Sequence, residues 1–162
     1  MSQNLIPPFS DDLAVQPVSK FMSGKVIVAK ETFSILQAME IMVANKISGL
    51  PVVNTDEKLI GVFSEMDAIL QAAAKPLMAR IECPNPKLLT CYPDTSFKEA
   101  LILLIKNKLN RMPVVNVNKN VVGIVTRYDF MKAYMADHQK RHPPKATLAS
   151  AKAAAAPSKK KS

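Results

Sequence analysis

Two segments of this chain place a hydroxyl and an aspartate where they could hold a nucleotide. Gly61-Val62-Phe63-Ser64-Glu65-Met66-Asp67 and Gly123-Ile124-Val125-Thr126-Arg127-Tyr128-Asp129 each run glycine, two apolar residues, a hydroxyl residue, two variable residues and an aspartate. A hydroxyl at a strand-to-helix junction, beside the free N–H groups of the new helix, makes a corner in which the helix dipole stabilises an anion such as phosphate. An aspartate one turn inside that helix can accept two hydroxyl hydrogen bonds, which suits the vicinal diol of a ribose. The glycine lets another group approach the strand closely. The same residues also read as helix caps, with Ser64 and Thr126 as N-caps and the aspartates favouring the dipole in the first turn.

The two segments close two copies of one unit. Residues 30–70 align with 92–132 without a gap at a spacing of 62, and ten of the 41 pairs are identical. The identities include Asn45/Asn107, Lys46/Lys108, Pro51-Val52-Val53-Asn54 with Pro113-Val114-Val115-Asn116, Gly61/Gly123 and Asp67/Asp129. A duplicated supersecondary unit makes a pseudo-twofold fold, and a site built where the copies meet occurs twice.

Hydrophobic patterning predicts the elements that position these residues. In the first copy, an apolar run at 26–29 reads as a strand and Thr32 as the cap of a helix to Lys46. Ile35, Leu36, Met39, Met42 and Val43 on that helix repeat at three and four. Ser48-Gly49 ends the helix, 50–53 and 59–63 form a hairpin around a polar turn at 54–58, and Ser64 opens a helix through Ala74. The second copy repeats this order. It has a strand at 88–91, a helix capped by Asp94 or Thr95 and running to Lys108, strands at 112–115 and 121–125, and a helix from Thr126 that frays after Asp137. The predicted class is α+β, two pseudo-twofold-related βαββα repeats packed into one module, with the first two strands of each copy parallel. The first helix of each copy is apolar beyond one stripe: Phe33, Ile41 and Ala44 lie off the main stripe in one, and the other carries Phe97, Leu101, Ile102, Leu103, Leu104 and Ile105. A second layer must therefore cover them, from the other repeat or another subunit. The organisation expected is an N-terminal arm at 1–16, repeats at 17–74 and 81–137 joined by a linker at 75–80, and a disordered basic tail at 138–162.

Residues 47–53, Ile-Ser-Gly-Leu-Pro-Val-Val, and 109–115, Leu-Asn-Arg-Met-Pro-Val-Val, are each followed by the Gly-x-x-Ser/Thr-x-x-Asp segment. At this spacing the chain resembles the cystathionine β-synthase (CBS) domain family, specifically a tandem CBS pair or Bateman module, over about residues 17–136. The resemblance implies two clefts for adenosine-containing ligands, each joining a base pocket from one repeat to the ribose aspartate of the other. Carried over by motif, one cleft would use Met22, Ile27, Ile47, Ser48 and Gly49 with Thr126 and Asp129. The other would use Pro84, Leu89, Leu109, Asn110 and Arg111 with Ser64 and Asp67.

The residue chemistry agrees with parts of this assignment. Ile27 and Ile47, or Leu89 and Leu109, can sandwich a flat purine, and backbone groups beside Ser48 or Asn110 can pair with the base edge. Arg111 stands where the first copy has Gly49 and can fork onto a phosphate. The Arg111 cleft is then suited to a di- or triphosphate. The Gly49 cleft is suited to a nucleoside or monophosphate unless Arg127 or Lys25 reaches in. Glu65, beside the Asp67 corner, works against a highly charged ligand there.

Charge and composition bound the remaining readings. Seven of the cations behind the net charge of +9 fall in residues 138–162, which hold no acid, so the folded part carries only +2. Such a tail reads as solubilising or as a weak nonspecific nucleic-acid contact. No secretory signal or membrane-spanning run is visible, so a cytoplasmic protein without a membrane partner is expected. Cys83 and Cys91 are spaced unlike a zinc or redox pair and read as reduced thiols. His138 and His142 lack further ligands beyond Asp137, so no metal is expected. The nine methionines read as ordinary packing. No nucleophile–base combination lies in the repeat, so the expected function is not an enzyme but a stand-alone regulatory module. That module senses AMP, ADP, ATP or a related adenosyl ligand, needs no cofactor, forms a homodimer and signals to a regulated protein. The alternative is a structural or interaction protein with empty clefts whose tail binds a polyanion.

Overall fold

A computed structural model describes residues 9–83 and 88–143. Pro84 of the expected site and most of the basic tail lie outside the described residues. The elements run α1 (Asp11–Val15), β1 (Ala29–Lys30), α2 (Ile35–Asn45), β2 (Gly49–Val53), β3 (Leu59–Ser64), α3 (Glu65–Ala74), α4 (Phe97–Lys106), β4 (Arg111–Val115), β5 (Val121–Thr126) and α5 (Arg127–Arg141). The α+β class predicted from sequence is observed.

All four repeat helices start with a capping box. Ser34 Oγ accepts the Gln37 N–H at 3.2 Å while the Gln37 side chain accepts the Ser34 N–H at 2.9 Å. Ser96 and Glu99 repeat the arrangement on α4. The caps therefore sit two residues beyond Thr32 and one or two beyond Asp94 and Thr95. Ser34 and Ser96 are followed at the third position by Gln or Glu, which returns a hydrogen bond, whereas Thr32, Asp94 and Thr95 are followed there by Ile35, Phe97 and Lys98. Lys46, in the left-handed region at φ 53°, caps the end of α2, so Gly49 opens β2 rather than ending the helix.

In the first copy β2 pairs antiparallel with β3, placing Leu50 opposite Phe63, and β1 runs parallel to β2 with Ala29 opposite Val52. In the second, β4 and β5 pair with Met112 opposite Val125. The first strands are shorter than expected. Only Ala29 and Lys30 pair where 26–29 was predicted, because residues 26 and 27 turn to line a cleft. The strand predicted at 88–91 reduces to a parallel bridge between Cys91 and Val114. Lys58 and Asn120, equivalent positions 62 apart, bridge each other, so the pseudo-twofold axis passes between the hairpin turns.

The second layer inferred for the helices is supplied partly by an exchange of leading segments. Residues 9–23 lie N-terminal to the strands and helices of the first repeat but pack on the second. Leu13 and Val18 are buried with Phe97, Leu104, Met112 and Phe130, and Phe9 and Phe21 join Phe97 in edge-to-face contacts at centroid distances of 5.3 Å. The Phe97 N–H, an otherwise unpaired donor in the first turn of α4, donates to Gln16 O at 2.7 Å. Reciprocally, Ile81 and Cys83 pack into the first repeat's core with Ile35, Leu50 and Phe63, and the Ile35 N–H donates to Ala79 O at 2.9 Å. Of the expected arm and linker, Phe9, Leu13 and Ala79 thus pack into these cores. Helix α5 continues past the expected fraying at Asp137, because that carboxylate is held by Ser10 and by Arg141.

Candidate functional site

The Gly-x-x-Ser/Thr-x-x-Asp segments form each β3-to-α3 or β5-to-α5 corner. Ser64 Oγ accepts the Asp67 N–H at 3.2 Å, and Asp67 Oδ2 accepts the Ser64 N–H at 2.8 Å. Thr126 and Asp129 repeat this at 3.4 and 2.9 Å. The capping role is therefore real at both corners, and it occupies one oxygen of each carboxylate. Among the described residues Asp67 Oδ1 has no hydrogen bond, whereas Asp129 Oδ1 pairs with Lys132 Nζ at 3.0 Å.

The glycines of these segments are covered by the exchanged segments. A Cβ on Gly61 would fall 2.6 Å from Cys83 Cβ, and one on Gly123 would run into Met22 Sδ. The close approach expected at each glycine is made by the chain itself. Met22, expected in a ligand cleft, packs over Gly123 in the core, and Ser23, Lys25 and Val26 take the lining position.

Two clefts flank the pseudo-axis. One, of about 570 Å³, is lined by Ile27, Ile47, Ser48 and Gly49 of the first repeat with Thr126 and Asp129 of the second, together with Lys25, Lys46, Arg127 and Tyr128. The other, about 280 Å³, brings Leu89, Leu109, Asn110 and Arg111 together with Ser64 and Asp67, beside Lys108. Apart from Met22 and Pro84, the sequence-predicted residues group into the two sets expected. Lys25 and Arg127 were foreseen only as cations able to reach in, and Lys46, Lys108 and Tyr128 were missed. The identity of Lys46 and Lys108 between copies was a signal, since both sit in left-handed turns at φ 53° that carry the chain into the cleft-lining strand.

Arg111 lines both clefts. Its guanidinium crosses from β4 over Gly49, where any Cβ would collide with it, and donates to Ser48 Oγ. Burial lowers its pKa and the nearby Glu65 carboxylate opposes that shift. Arg127 does not mirror it. Its side chain donates to Leu109 O at 2.8 Å and Lys108 O at 3.2 Å, clamping the rim of the smaller cleft. The equivalent residue in the first repeat, Glu65, has no donor to do the same. The Ser48 and Asn110 carbonyls accept the Glu65 and Arg127 N–H groups at 3.2 and 3.1 Å.

His138 and His142 stack at 4.7 Å between ring centroids, and no group of three or more His, Cys, Asp or Glu occurs among the described residues. No described helix is long and apolar enough to cross a membrane.

A family model described as CBS domain matches the chain twice, over residues 18–73 and 79–136. An uncharacterized protein of Methanocaldococcus jannaschii is 28% identical over 149 residues, covering 70% of this chain and 89% of that one. The chain spans 46% of a second M. jannaschii protein and 24% of that organism's inosine-5'-monophosphate dehydrogenase, each 28% identical. Among solved structures, CBSX2 in complex with AMP superposes with a TM-score of 0.64 at 27% identity, covering 74% of this chain and 96% of that one. The CBS domain pair of another protein, in complex with 5'-methylthioadenosine and S-adenosyl-L-methionine, gives 0.65 at 27% identity over 75% of this chain and 98% of that one.

Proposed function

We propose, from the premise that this chain belongs to the CBS domain family as a tandem pair, that it is a regulatory module for adenosine-containing ligands. The observation that carries the reading is the pairing, in each cleft, of an apolar and cationic loop from one repeat with the hydroxyl–aspartate corner of the other. Isoleucine or leucine side chains offer a surface for a purine, the aspartate an acceptor for a ribose diol, and the lysines and Arg111 a counter-charge for phosphate. The related structures that hold AMP, or methylthioadenosine and S-adenosylmethionine, support the ligand class. AMP, ADP and ATP are the first ligands to test.

Ligand binding would be passed to a partner through a change in packing, which a ligand can bias only by its differential affinity for two states. The surface available for self-association lies on α3 and α5. Met66, Ile69 and Leu70 on one helix and Tyr128, Met131 and Met135 on the other are all more than half exposed. Single exposed apolar residues are ordinary, but two matching helical stripes point to a homodimer.

Calorimetric titration of wild type, Asp67→Ala and Asp129→Ala with AMP, ADP, ATP and S-adenosylmethionine tests this reading, with melting curves to separate lost caps from lost ligand contacts. Each substitution is expected to abolish binding in one cleft. Wild-type protein that binds none of the four at millimolar concentration would return the chain to the class of structural or interaction proteins. Light scattering tests the dimer.

A further inference from the structure

We propose that Arg111 is one phosphate-binding cation shared between the two clefts, so that a phosphorylated ligand in the Gly49 cleft deprives the Asp67 cleft of it. The larger cleft then takes a nucleotide and the smaller an uncharged nucleoside. This deepens the nucleotide-binding reading and rests on it.

Among the described residues Arg111 is the one basic residue common to both linings. Among the described residues its guanidinium forms no ion pair, and its hydrogen-bond partner is a neutral hydroxyl, that of Ser48. A cation whose hydrogen bond is to a neutral hydroxyl, with a carboxylate near but not in contact, gains more from a phosphate than it gives up, because charge-assisted bonds are roughly twice as strong as neutral ones. The absence of a side chain at Gly49 is what lets the guanidinium cross the axis.

The remaining charges set the order of filling. Without Arg111 the Gly49 cleft still holds Lys25, Lys46 and Arg127 against Asp129. Among the described residues the Asp67 cleft then keeps Lys108 against Asp67, with Glu65 in the same first turn of α3 as Asp67. The cleft that the sequence suggested for a di- or triphosphate thus becomes the poorer phosphate site once its arginine is engaged across the axis. The volumes point the same way, about 570 against 280 Å³.

The test uses the full chain, with ADP and adenosine as probes and calorimetry as the readout. Asp67→Ala isolates the Gly49 cleft and Asp129→Ala isolates the Asp67 cleft. In the Asp67→Ala background, Arg111→Ala is expected to weaken ADP by on the order of tenfold or more while leaving adenosine within about twofold. In wild type the second ADP should bind on the order of tenfold more weakly than ADP binds the lone Asp67 cleft of Asp129→Ala, and Arg111→Ala should erase that difference. Gly49→Ala, which evicts the guanidinium, should move the ADP preference to the Asp67 cleft. If Arg111→Ala fails to melt cooperatively, Arg111→Gln, which can still donate to Ser48 without the charge, should give the same ADP-selective loss. Equal losses for adenosine and ADP, or two independent ADP sites in wild type, would overturn the sharing while leaving the nucleotide reading intact. Wild type that binds neither probe would overturn both.

Discussion

The Ser10 backbone N–H donates to Asp137 Oδ2 at 3.1 Å, and the Ser10 hydroxyl donates to the other oxygen of the same carboxylate. Asp137 also meets Arg141 at 3.0 Å. A residue near the start of the chain is thereby tied to the last helix, and Ser10 simultaneously caps α1 by accepting the Leu13 N–H at 3.1 Å.

This pair has a pH signature. The Ser10 hydroxyl, foremost, and then the Ser10 N–H and Arg141 hold the Asp137 carboxyl below its usual range, against the opposing effect of burial. A depressed folded pKa contributes stability that is complete above the unfolded value of about 3.9 and is lost as pH falls through the folded value. The urea-melting difference between wild type and Asp137→Asn should therefore be present at pH 6 and shrink below about pH 3.9. A gap that does not change with pH would sink this account.

Leu13 carries the docking of α1. It is 3% exposed against Phe97 and its neighbours, whereas Val15 on the same helix is 73% exposed. Leu13→Ala should cost about 2–5 kcal/mol in urea denaturation, the range for emptying a buried leucine site. Val15→Ala should stay within about 0.5 kcal/mol. Equal effects would show that α1 does not hold the second repeat together.

The two motif glycines should differ in tolerance. At Gly61 a new methyl meets Cys83 Cβ, an atom fixed to the backbone, while at Gly123 it meets the sulfur of a flexible methionine. Gly61→Ala is expected to lower the melting temperature more than Gly123→Ala, and Met22→Ala should partly rescue Gly123→Ala in a double-mutant cycle. Additivity in that cycle would mean that the contact is not the cause.

These glycines mark where the sequence was legible and where it stopped. The spacing of 62 and the hydroxyl–aspartate corners are visible because they are local and repeated. The grouping of residues into two clefts came instead from the resemblance to the CBS family. What covers Gly61 and Gly123 was not visible. Residues 9–23 and 77–83 have no hydrophobic period long enough to reveal which core they join, and a spacing argument cannot distinguish a repeat's own flank from the other's. The cap positions, by contrast, were readable. Ser34-x-x-Gln37 and Ser96-x-x-Glu99 are complete capping boxes, and a nearby threonine or aspartate drew attention from them. The direction of the Arg111 side chain was out of reach, since only the folded arrangement shows that Gly49 lies beneath it.

The thiols supply a further test. Burial pushes Cys83 up to about 11, with Asp67 adding to the shift, and burial alone pushes Cys91 to about 12. A raised folded pKa means that the stability these thiols contribute is complete below the unfolded value and is lost as pH rises through the folded one. Alkylation by iodoacetamide should be slow at pH 8 and faster at the half-buried Cys83 than at Cys91, since the thiolate is the nucleophile. Asp67→Asn should speed alkylation of Cys83 and leave Cys91 unchanged. Equal acceleration at both sites would indicate general loosening instead.

The exchange of leading segments also sets a schedule for synthesis. The first repeat's core draws on a continuous stretch, from Ala29 to Cys83, whereas the second combines Phe9 to Met22 with Cys91 to Tyr134. One unit is therefore nested inside the other along the polypeptide. On the ribosome the inner repeat has all its core residues once Cys83 emerges, while the arm made first waits, with Phe9 and Leu13 uncovered, until Phe130 and Tyr134 arrive. Phe9 and Leu13 are thus made before the inner repeat but buried after it, and that interval is when the nascent chain most needs protection from aggregation.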